Sequence, residues 1–184
     1  MLHYLTGGAW DPHDINAVAL TSESAIQLWD LRTMKMTGAV EQVHARSVDY
    51  NAKKDHILVS AEDESGIRIW DLRMLNSPLA ELPGHAHWTW TVKANPEYDG
   101  IILSAGTDSS VSLWLAPTSS SADGTSESLE SPAMGADPLL NSYNDYEDSV
   151  YGLAWSSREP WIFASLSYDG RVVVESIKPH LSRK

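Results

Sequence analysis

Short runs of apolar and alternating side chains recur along the chain and predict β-strands. Apolar and polar residues alternate over residues 67–70 and 111–114, which is the pattern of a strand with one buried face. Residues 57–60 and 101–104 are mostly apolar and predict two further strands, each of which precedes one of the alternating strands. We therefore expect an all-β fold, with no helix longer than two turns outside residues 116–142.

The spacing of these runs is regular. Trp-Asp-Leu-Arg occupies residues 29–32 and returns at residues 70–73, and Ser-Leu-Trp follows at residues 112–114; the tryptophans are 41 and 44 residues apart. A Trp-Asp pair that closes an alternating run with this period is typical of β-propeller blades. The pattern resembles that of the WD40-repeat family, which implies four-stranded blades around a central channel.

Four blades account for the whole length. We expect three blades in residues 1–115, the first truncated at its N-terminal side, a fourth, degenerate blade in residues 143–178, and a tail in residues 179–184. Residues 116–142 are rich in Ser, Gly, Asp, Glu and Pro, and they predict a disordered insertion before the last blade. We interpret the insertion as a solvated loop, with phosphorylation or binding of basic partners as the alternative. Because propellers typically have roughly 4–8 blades, we expect a partial propeller, the C-terminal part of a larger one.

In the WD40 family, a buried Trp, Ser, His and Asp in one blade form a hydrogen-bonded tetrad. Counting back from Trp114 places Ser104, His85 and Asp108 at the matching positions of the third repeat. The resemblance therefore implies that the indole donates to the hydroxyl, the hydroxyl contacts the imidazole, and the carboxylate holds the other ring nitrogen.

Only the third repeat has all four members. The other repeats keep part of the set and replace the rest. The same spacing gives Ser60, Glu64 and Trp70 with Glu41 for His in the second repeat, Tyr146, Ser165, Asp169 and Glu175 in the fourth, and Ala19 for Ser in the first.

Composition excludes several classes of partner and site. The net charge is −12 and the pI is about 4.8, which is the wrong sign for a phosphate-backbone binder. The sequence has no cysteine, so disulfides and thiolate chemistry are absent. No apolar stretch approaches the roughly 18 residues that a membrane span needs, and no signal peptide is seen. We expect neither nucleic-acid binding nor membrane insertion.

Candidate catalytic and metal-binding groups are few. His85 and His87 resemble a metal pair, but His85 is assigned to the tetrad and no third ligand is in register. No phosphate-binding loop, nucleophile elbow or HExxH motif occurs. We therefore expect no metal, no cofactor and no enzymatic activity.

Large aromatic side chains follow the third-repeat histidine. Trp88 and Trp90 fall where the WD40 resemblance implies that a strand reaches the upper face of the propeller, and Arg46 and Tyr151 occupy the matching position in the second and fourth repeats. Trp, Tyr and Arg are enriched in interface hot spots. These four residues form our candidate partner surface; core packing of one tryptophan is the alternative.

The repeated Trp-Asp-x-Arg sequence has a second interpretation. It matches the box by which some WD40 proteins dock onto the adaptor of cullin-RING ubiquitin ligases, and this implies adaptor contacts by Asp30, Arg32, Asp71 and Arg73. The alternative is ordinary blade consensus with each arginine in a surface turn.

The last repeat is more distinctive than the Trp-Asp pairs. Residues 147–151, 155–157 and 160–171, with residues 84–90, resemble the WD-repeat proteins that interact with the endosome-associated recycling (EARP) and Golgi-associated retrograde (GARP) tethering complexes. The resemblance implies a non-enzymatic scaffold in endosomal recycling and endosome-to-Golgi retrograde transport. It implies a cytoplasmic location at endosomes and the trans-Golgi network. A substrate receptor of a cullin-RING ligase is the competing hypothesis.

Overall fold

A computed structural model describes residues 4–63, 66–117 and 137–181, which form four antiparallel sheets. The first sheet contains β1 (Leu5–Trp10), β2 (Ala17–Ser22), β3 (Ala25–Asp30) and β4 (Lys35–Glu41). The second contains β5 (Ala45–Tyr50), β6 (Ile57–Glu62), β7 (Gly66–Asp71) and β8 (Ala80–Leu82). The third contains β9 (Thr89–Ala94), β10 (Ile101–Gly106), β11 (Val111–Leu115) and β12 (Leu139–Tyr143). The fourth contains β13 (Val150–Trp155), β14 (Ile162–Ser167) and β15 (Val172–Ser176).

In each sheet the strands follow one another in chain order, each hydrogen-bonded to the next. The sheets pack face to face, and the apolar core lies between them. Ile26 of the first sheet packs with Val48 and Leu58 of the second, and Val111 of the third packs with Phe163 of the fourth. The prediction of an all-β, partial WD40 propeller is confirmed.

The helical content of the described residues is one short segment, α1 (Lys178–Leu181), which follows the last strand. None of the described helices is long and apolar enough to span a membrane. The segment lies across the boundary that we expected between the fourth blade and a tail.

The structure corrects two of the predicted boundaries. The first sheet has four strands, so the expected truncation of the first blade is wrong. Residues 139–142, assigned to the insertion, belong to β12, which pairs with β11 and brings Tyr143 against Phe163 in the core. The insertion therefore interrupts the third blade instead of separating two blades, because an outer strand needs only its pairing edge and tolerates a long connection. Residues 118–136 lie outside the described residues.

The two end sheets differ from the inner ones in exposure. Every residue of β6 and β10 is buried, because these inner strands have a sheet on each side. In the fourth sheet Val172 and Val174 remain 66% and 64% exposed. Among the described residues, the first and fourth sheets each have one face without a neighbouring sheet.

Candidate protein-binding surfaces

The third sheet holds the four residues of the predicted tetrad in one connected set of hydrogen bonds. Trp114 Nε1 on β11 donates to Ser104 Oγ on β10 at 2.8 Å. Ser104 Oγ lies 2.8 Å from His85 Nε2, and His85 Nδ1 lies 2.9 Å from Asp108 Oδ1. The indole donates to the hydroxyl, so the hydroxyl can donate to Nε2 while Nδ1–H donates to the carboxylate. The His85 side chain is fully buried by these contacts.

Asp108 is the charged member of this set. Burial disfavours its carboxylate, but hydrogen bonds from Ser110 and the Ala86 amide, together with the His85 ring, outweigh that cost and lower the pKa of Asp108 below its ordinary value. The carboxylate thus fixes the loop before β9 as well as the imidazole.

The second sheet keeps the indole and the hydroxyl but not the histidine. Trp70 Nε1 donates to Ser60 Oγ at 2.9 Å, and Ser60 Oγ donates to Glu62 Oε1 at 2.8 Å. Arg68 Nη1 donates to the other oxygen of Glu62 at 2.9 Å. Glu41, the residue at the histidine position, is exposed and takes no part. Glu64 lies outside the described residues.

The first and fourth sheets have smaller versions of the same contact. In the fourth, Tyr146 OH lies 2.6 Å from Ser165 Oγ and so takes the place of the imidazole, while Asp169 accepts from the Glu147 amide. In the first, Ala19 offers no hydroxyl, and Trp29 Nε1 donates to Gln27 at 3.1 Å. The sheets therefore share the position of the contact and not its residues.

The two ends of the sheets form two opposite faces. Because neighbouring strands are antiparallel, the start of each first and third strand meets the end of each second and fourth strand. We call this end the upper face, and the other end, where third strands finish and second strands begin, the lower face. The tetrad aspartate and the loop that carries His85 lie at the upper face.

Three of the four predicted partner residues lie together at the upper face, where Arg46 contacts both Trp88 and Trp90. The Arg46 guanidinium lies 4.8 Å from the ring centroid of Trp88 and 5.0 Å from that of Trp90. Its other edge pairs with both carboxylate oxygens of Asp63, with Nη2 to Oδ2 at 3.1 Å. Cation–π contact and a bidentate ion pair together hold the guanidinium in one orientation.

Tyr151 lies across a cavity from these residues. The cavity has a volume of about 410 Å³ and lies between the first strands of the four sheets, with Arg46, Trp90 and Tyr151 on its wall. Trp88 and Tyr151 are 43% and 39% exposed, so both retain surface for a partner. Tyr151 also stacks on Tyr168, with ring centroids 4.5 Å apart. We define the aromatic cluster as Trp88, Trp90, Tyr151 and Tyr168; Trp90 and Tyr151 line the cavity, Trp88 shares the Arg46 guanidinium with Trp90, and Tyr168 stacks on Tyr151.

Sequence analysis missed two members of this surface, Asp63 and Tyr168. Each lies in the turn between the second and third strands of its sheet, and the tetrad Asp108 lies in the corresponding turn of the third sheet. Turns at this position therefore face the same surface as the starts of the first strands. Because these turns are equivalent in the repeats, the repeat spacing could have identified Asp63 and Tyr168 as residues of this surface.

The two Trp-Asp-x-Arg boxes lie at the lower face. Arg32 and Arg73 follow β3 and β7 and are 74% and 63% exposed. Arg73 Nη2 lies 2.6 Å from Asp71, whereas Arg32 Nη2 lies 3.7 Å from Asp30. The boxes occupy equivalent positions on adjacent sheets, on the face opposite the aromatic cluster.

The two histidines that resembled a metal pair make other contacts. Both ring nitrogens of His85 are engaged in the tetrad, and His87 Nδ1 lies 2.7 Å from Thr107 Oγ1. Within residues 4–63, 66–117 and 137–181, no three His, Asp or Glu side chains are grouped as a metal site would require.

Comparison with known families agrees with this architecture. Residues 1–114 match the family described as "EIPR1 beta-propeller", and residues 138–174 match "WD domain, G-beta repeat". The chain belongs to the EIPR1 β-propeller family.

Relatives of the family extend well beyond this chain. It is 65% identical over 184 residues to "WD repeat-containing protein DWA2" of Arabidopsis thaliana, covering 53% of that protein. It is 34% identical over 190 residues to "EARP and GARP complex-interacting protein 1" of Homo sapiens, with 94% of this chain and 49% of that protein matched. It is 36% identical over 180 residues to "EARP-interacting protein 1" of Caenorhabditis elegans, with 91% of this chain and 50% of that protein matched. The chain thus spans about half the length of these relatives.

Proposed function

We propose that this chain is a non-enzymatic scaffold that binds subunits of EARP- and GARP-type tethering complexes through the upper face. The observation that carries the proposal is the similarity over more than nine-tenths of the chain to relatives named for that interaction. The transport steps that we assign are endosomal recycling and endosome-to-Golgi retrograde transport. The corresponding location is the cytoplasmic surface of endosomes and the trans-Golgi network.

The geometry supports a binding role over a catalytic one. Ser104, His85 and Asp108 have the composition of a hydrolase triad, but Ser104 is fully buried and its oxygen already accepts from Trp114. A nucleophile must reach a substrate, and this hydroxyl reaches only protein atoms. The set therefore stabilises the blade.

The upper face offers the side chains that carry binding energy. Trp, Tyr and Arg dominate measured hot spots, and Arg46, Trp90 and Tyr151 line one cavity at this face. Truncating a hot-spot residue costs about 2 kcal/mol or more, which is roughly thirtyfold in affinity. Trp90 and Tyr151 line the cavity directly, so they are the residues to truncate.

The test is capture of recombinant EARP and GARP subunits by the immobilised chain. We expect Trp90→Ala and Tyr151→Ala to weaken capture by roughly thirtyfold. Trp10→Ala is the matched control, because Trp10 ends β1 at the lower face and is 64% exposed. Circular dichroism checks that each variant is folded. Equal capture by the wild type and both cavity variants would contradict the proposed surface, and no capture at all would contradict the proposed function.

A second candidate function rests on the lower face. Arg32 and Arg73 are exposed at equivalent positions of adjacent sheets, each beside the aspartate of its own box. That arrangement suits docking onto a cullin-RING ligase adaptor by charge-assisted hydrogen bonds. Substituting both arginines by alanine should abolish co-purification of the adaptor and leave capture of tethering subunits unchanged. If the arginine pair controls every partner, the ligase hypothesis replaces the scaffold proposal.

A further inference from the structure

Charge is distributed unequally between the two faces. In the described loops of the upper face, Arg171 is the only arginine or lysine, and the carboxylates are Glu23, Asp63, Asp108, Asp145, Glu147, Asp148 and Asp169. The described loops of the lower face carry Arg32, Lys53, Lys54, Arg73 and Arg158 among their own carboxylates. Among the described loops, the net negative charge is therefore greater at the upper face, which carries the aromatic cluster.

The acidic loop before β13 is joined to the aromatic cluster by hydrogen bonds. The Thr107 amide donates to the Trp88 carbonyl, and Ser149 Oγ donates to the Thr107 carbonyl. The Tyr168 amide then donates to the Ser149 carbonyl at 3.0 Å. The surface from Trp88 to Tyr168 is thus continuous; Asp148 borders it through Ser149 and Ser167, and Asp145 lies in the same loop.

Two of these carboxylates are available to a partner. Asp145 and Asp148 are exposed, and no arginine or lysine among the described residues forms an ion pair with either side chain. Arg171 pairs with Glu147, lies 3.9 Å from Asp169, and donates from Nη1 to the backbone carbonyl of Asp145 and not to its carboxylate. The Asp148 carboxylate accepts one hydrogen bond, from the Ser149 amide to Oδ1 at 2.6 Å. A cation from outside the chain would gain a charge-assisted contact at Asp145 or at Asp148 Oδ2 without displacing an internal ion pair.

The chain already shows how this surface holds a guanidinium. Arg46 lies against two tryptophan rings while Asp63 accepts from its edge. Tyr151 and Tyr168 offer two further exposed rings, and Asp148 accepts from Ser167 beside them through its carbonyl. Aromatic faces next to unpaired carboxylates favour cations, and arginine above all.

We infer that the upper face docks a protein segment carrying arginine or lysine side chains, with the cations placed on the aromatic cluster and paired with Asp145 and Asp148. This inference rests on the proposed function, since it gives the chemistry of the partner segment at the same surface. It excludes an acidic partner segment, which the loop carboxylates would repel.

The test uses a fluorescent peptide of five Arg-Gly-Ser repeats and a matched peptide of five Glu-Gly-Ser repeats, titrated with the full chain. We expect the arginine peptide to bind and the glutamate peptide not to bind. Asp145→Asn with Asp148→Asn should weaken binding by about fivefold, since each exposed ion pair contributes modestly. Trp88→Ala should weaken it further, because ring contact adds to charge. The matched control is Asp55→Asn with Glu97→Gln, which removes the same charge from the lower face.

The outcomes separate this inference from the proposed function. The inference would be overturned if the lower-face control lost as much binding of the arginine peptide as the Asp145 and Asp148 variant. It would also be overturned if Trp88→Ala had no effect or if the glutamate peptide bound. Capture of tethering subunits that is insensitive to the Asp145 and Asp148 substitutions would also overturn it and leave the scaffold proposal standing. Binding of the arginine peptide without capture of any tethering subunit would overturn the scaffold proposal instead.

Discussion

The second and third sheets bury the same pair of groups and satisfy it differently. In each, a tryptophan indole donates to a serine hydroxyl, at 2.9 Å from Trp70 to Ser60 and at 2.8 Å from Trp114 to Ser104. In the third sheet the hydroxyl lies against the imidazole ring of His85. In the second it donates to the carboxylate of Glu62, which is only 3% exposed.

This difference shows what the blade requires. A buried indole and a buried hydroxyl need acceptors, and either an imidazole or a carboxylate supplies one. The two solutions are not equally robust, because a buried carboxylate also needs a compensating cation. Arg68 provides it in the second sheet, so the ionised network should be more sensitive to a single substitution than the tetrad.

The largest effect is therefore expected from Arg68→Leu. This substitution takes the guanidinium away from the buried Glu62 carboxylate and should lower the free energy of unfolding by roughly 3 kcal/mol. Urea denaturation followed by tryptophan fluorescence measures it. Adding Glu62→Gln should restore much of the loss, because the amide oxygen still accepts from Ser60 and carries no charge.

A matched control distinguishes the buried pair from an ordinary surface pair. Arg68 Nε also donates to Glu81, which is 57% exposed. Glu81→Gln should change stability by less than about 1 kcal/mol. Equal effects of Arg68→Leu and Glu81→Gln would show that the second network is no more sensitive than a surface ion pair.

The tetrad should be the more tolerant of the two. His85→Ala leaves the Ser104 hydroxyl and the Asp108 carboxylate without their ring partner and should cost about 2 kcal/mol, within the range for unpaired buried polar groups. The same denaturation experiment measures it. A loss larger than that of Arg68→Leu would reverse the order of the two networks.

Much of the fold could be predicted from the sequence because period and alternation are local signals. The apolar and alternating runs at residues 57–60, 67–70, 101–104 and 111–114 lie within β6, β7, β10 and β11. β12 was missed because a polar segment separates it from β11, and pairing across such a distance leaves no local pattern. Its register is set instead by Tyr143 in the core.

The candidate site was less accessible to sequence reasoning. The positions of Arg46, Trp88 and Trp90 followed from repeat equivalence, but the seating of one guanidinium between two indoles depends on how adjacent sheets pack. The network of Glu62 and Arg68 was missed because both lie on strands that repeat spacing assigns to ordinary pairing. Replacing the histidine of the tetrad by a glutamate on another strand leaves the repeat length unchanged, so spacing alone cannot reveal the replacement.

Acid should affect the tetrad through Asp108. Its pKa is lowered in the folded chain, since the hydrogen bonds to its carboxylate and the nearby His85 ring outweigh its burial. The stabilisation it gives is therefore fully present above the ordinary value of about 4 and is lost as the pH falls through the lowered value. We expect the urea midpoint to fall less from pH 5 to pH 3 in Asp108→Asn than in the wild type. Identical pH profiles would contradict the role of this carboxylate.

The smallest effect is expected at Glu41, and it decides how repeat positions should be assigned. Spacing places Glu41 where the third repeat has its histidine, but the side chain is exposed and Glu62 takes the contact with Ser60. Glu41→Ala should therefore change the free energy of unfolding by no more than about 0.5 kcal/mol, as at other exposed positions. Glu62→Ala is the matched substitution and should cost several times more, since it leaves the Ser60 hydroxyl and the Arg68 guanidinium without that partner. A larger loss of unfolding free energy in Glu41→Ala than in Glu62→Ala would show that Glu41 is the acceptor for Ser60. The second sheet would then use the same repeat position as the histidine of the third sheet.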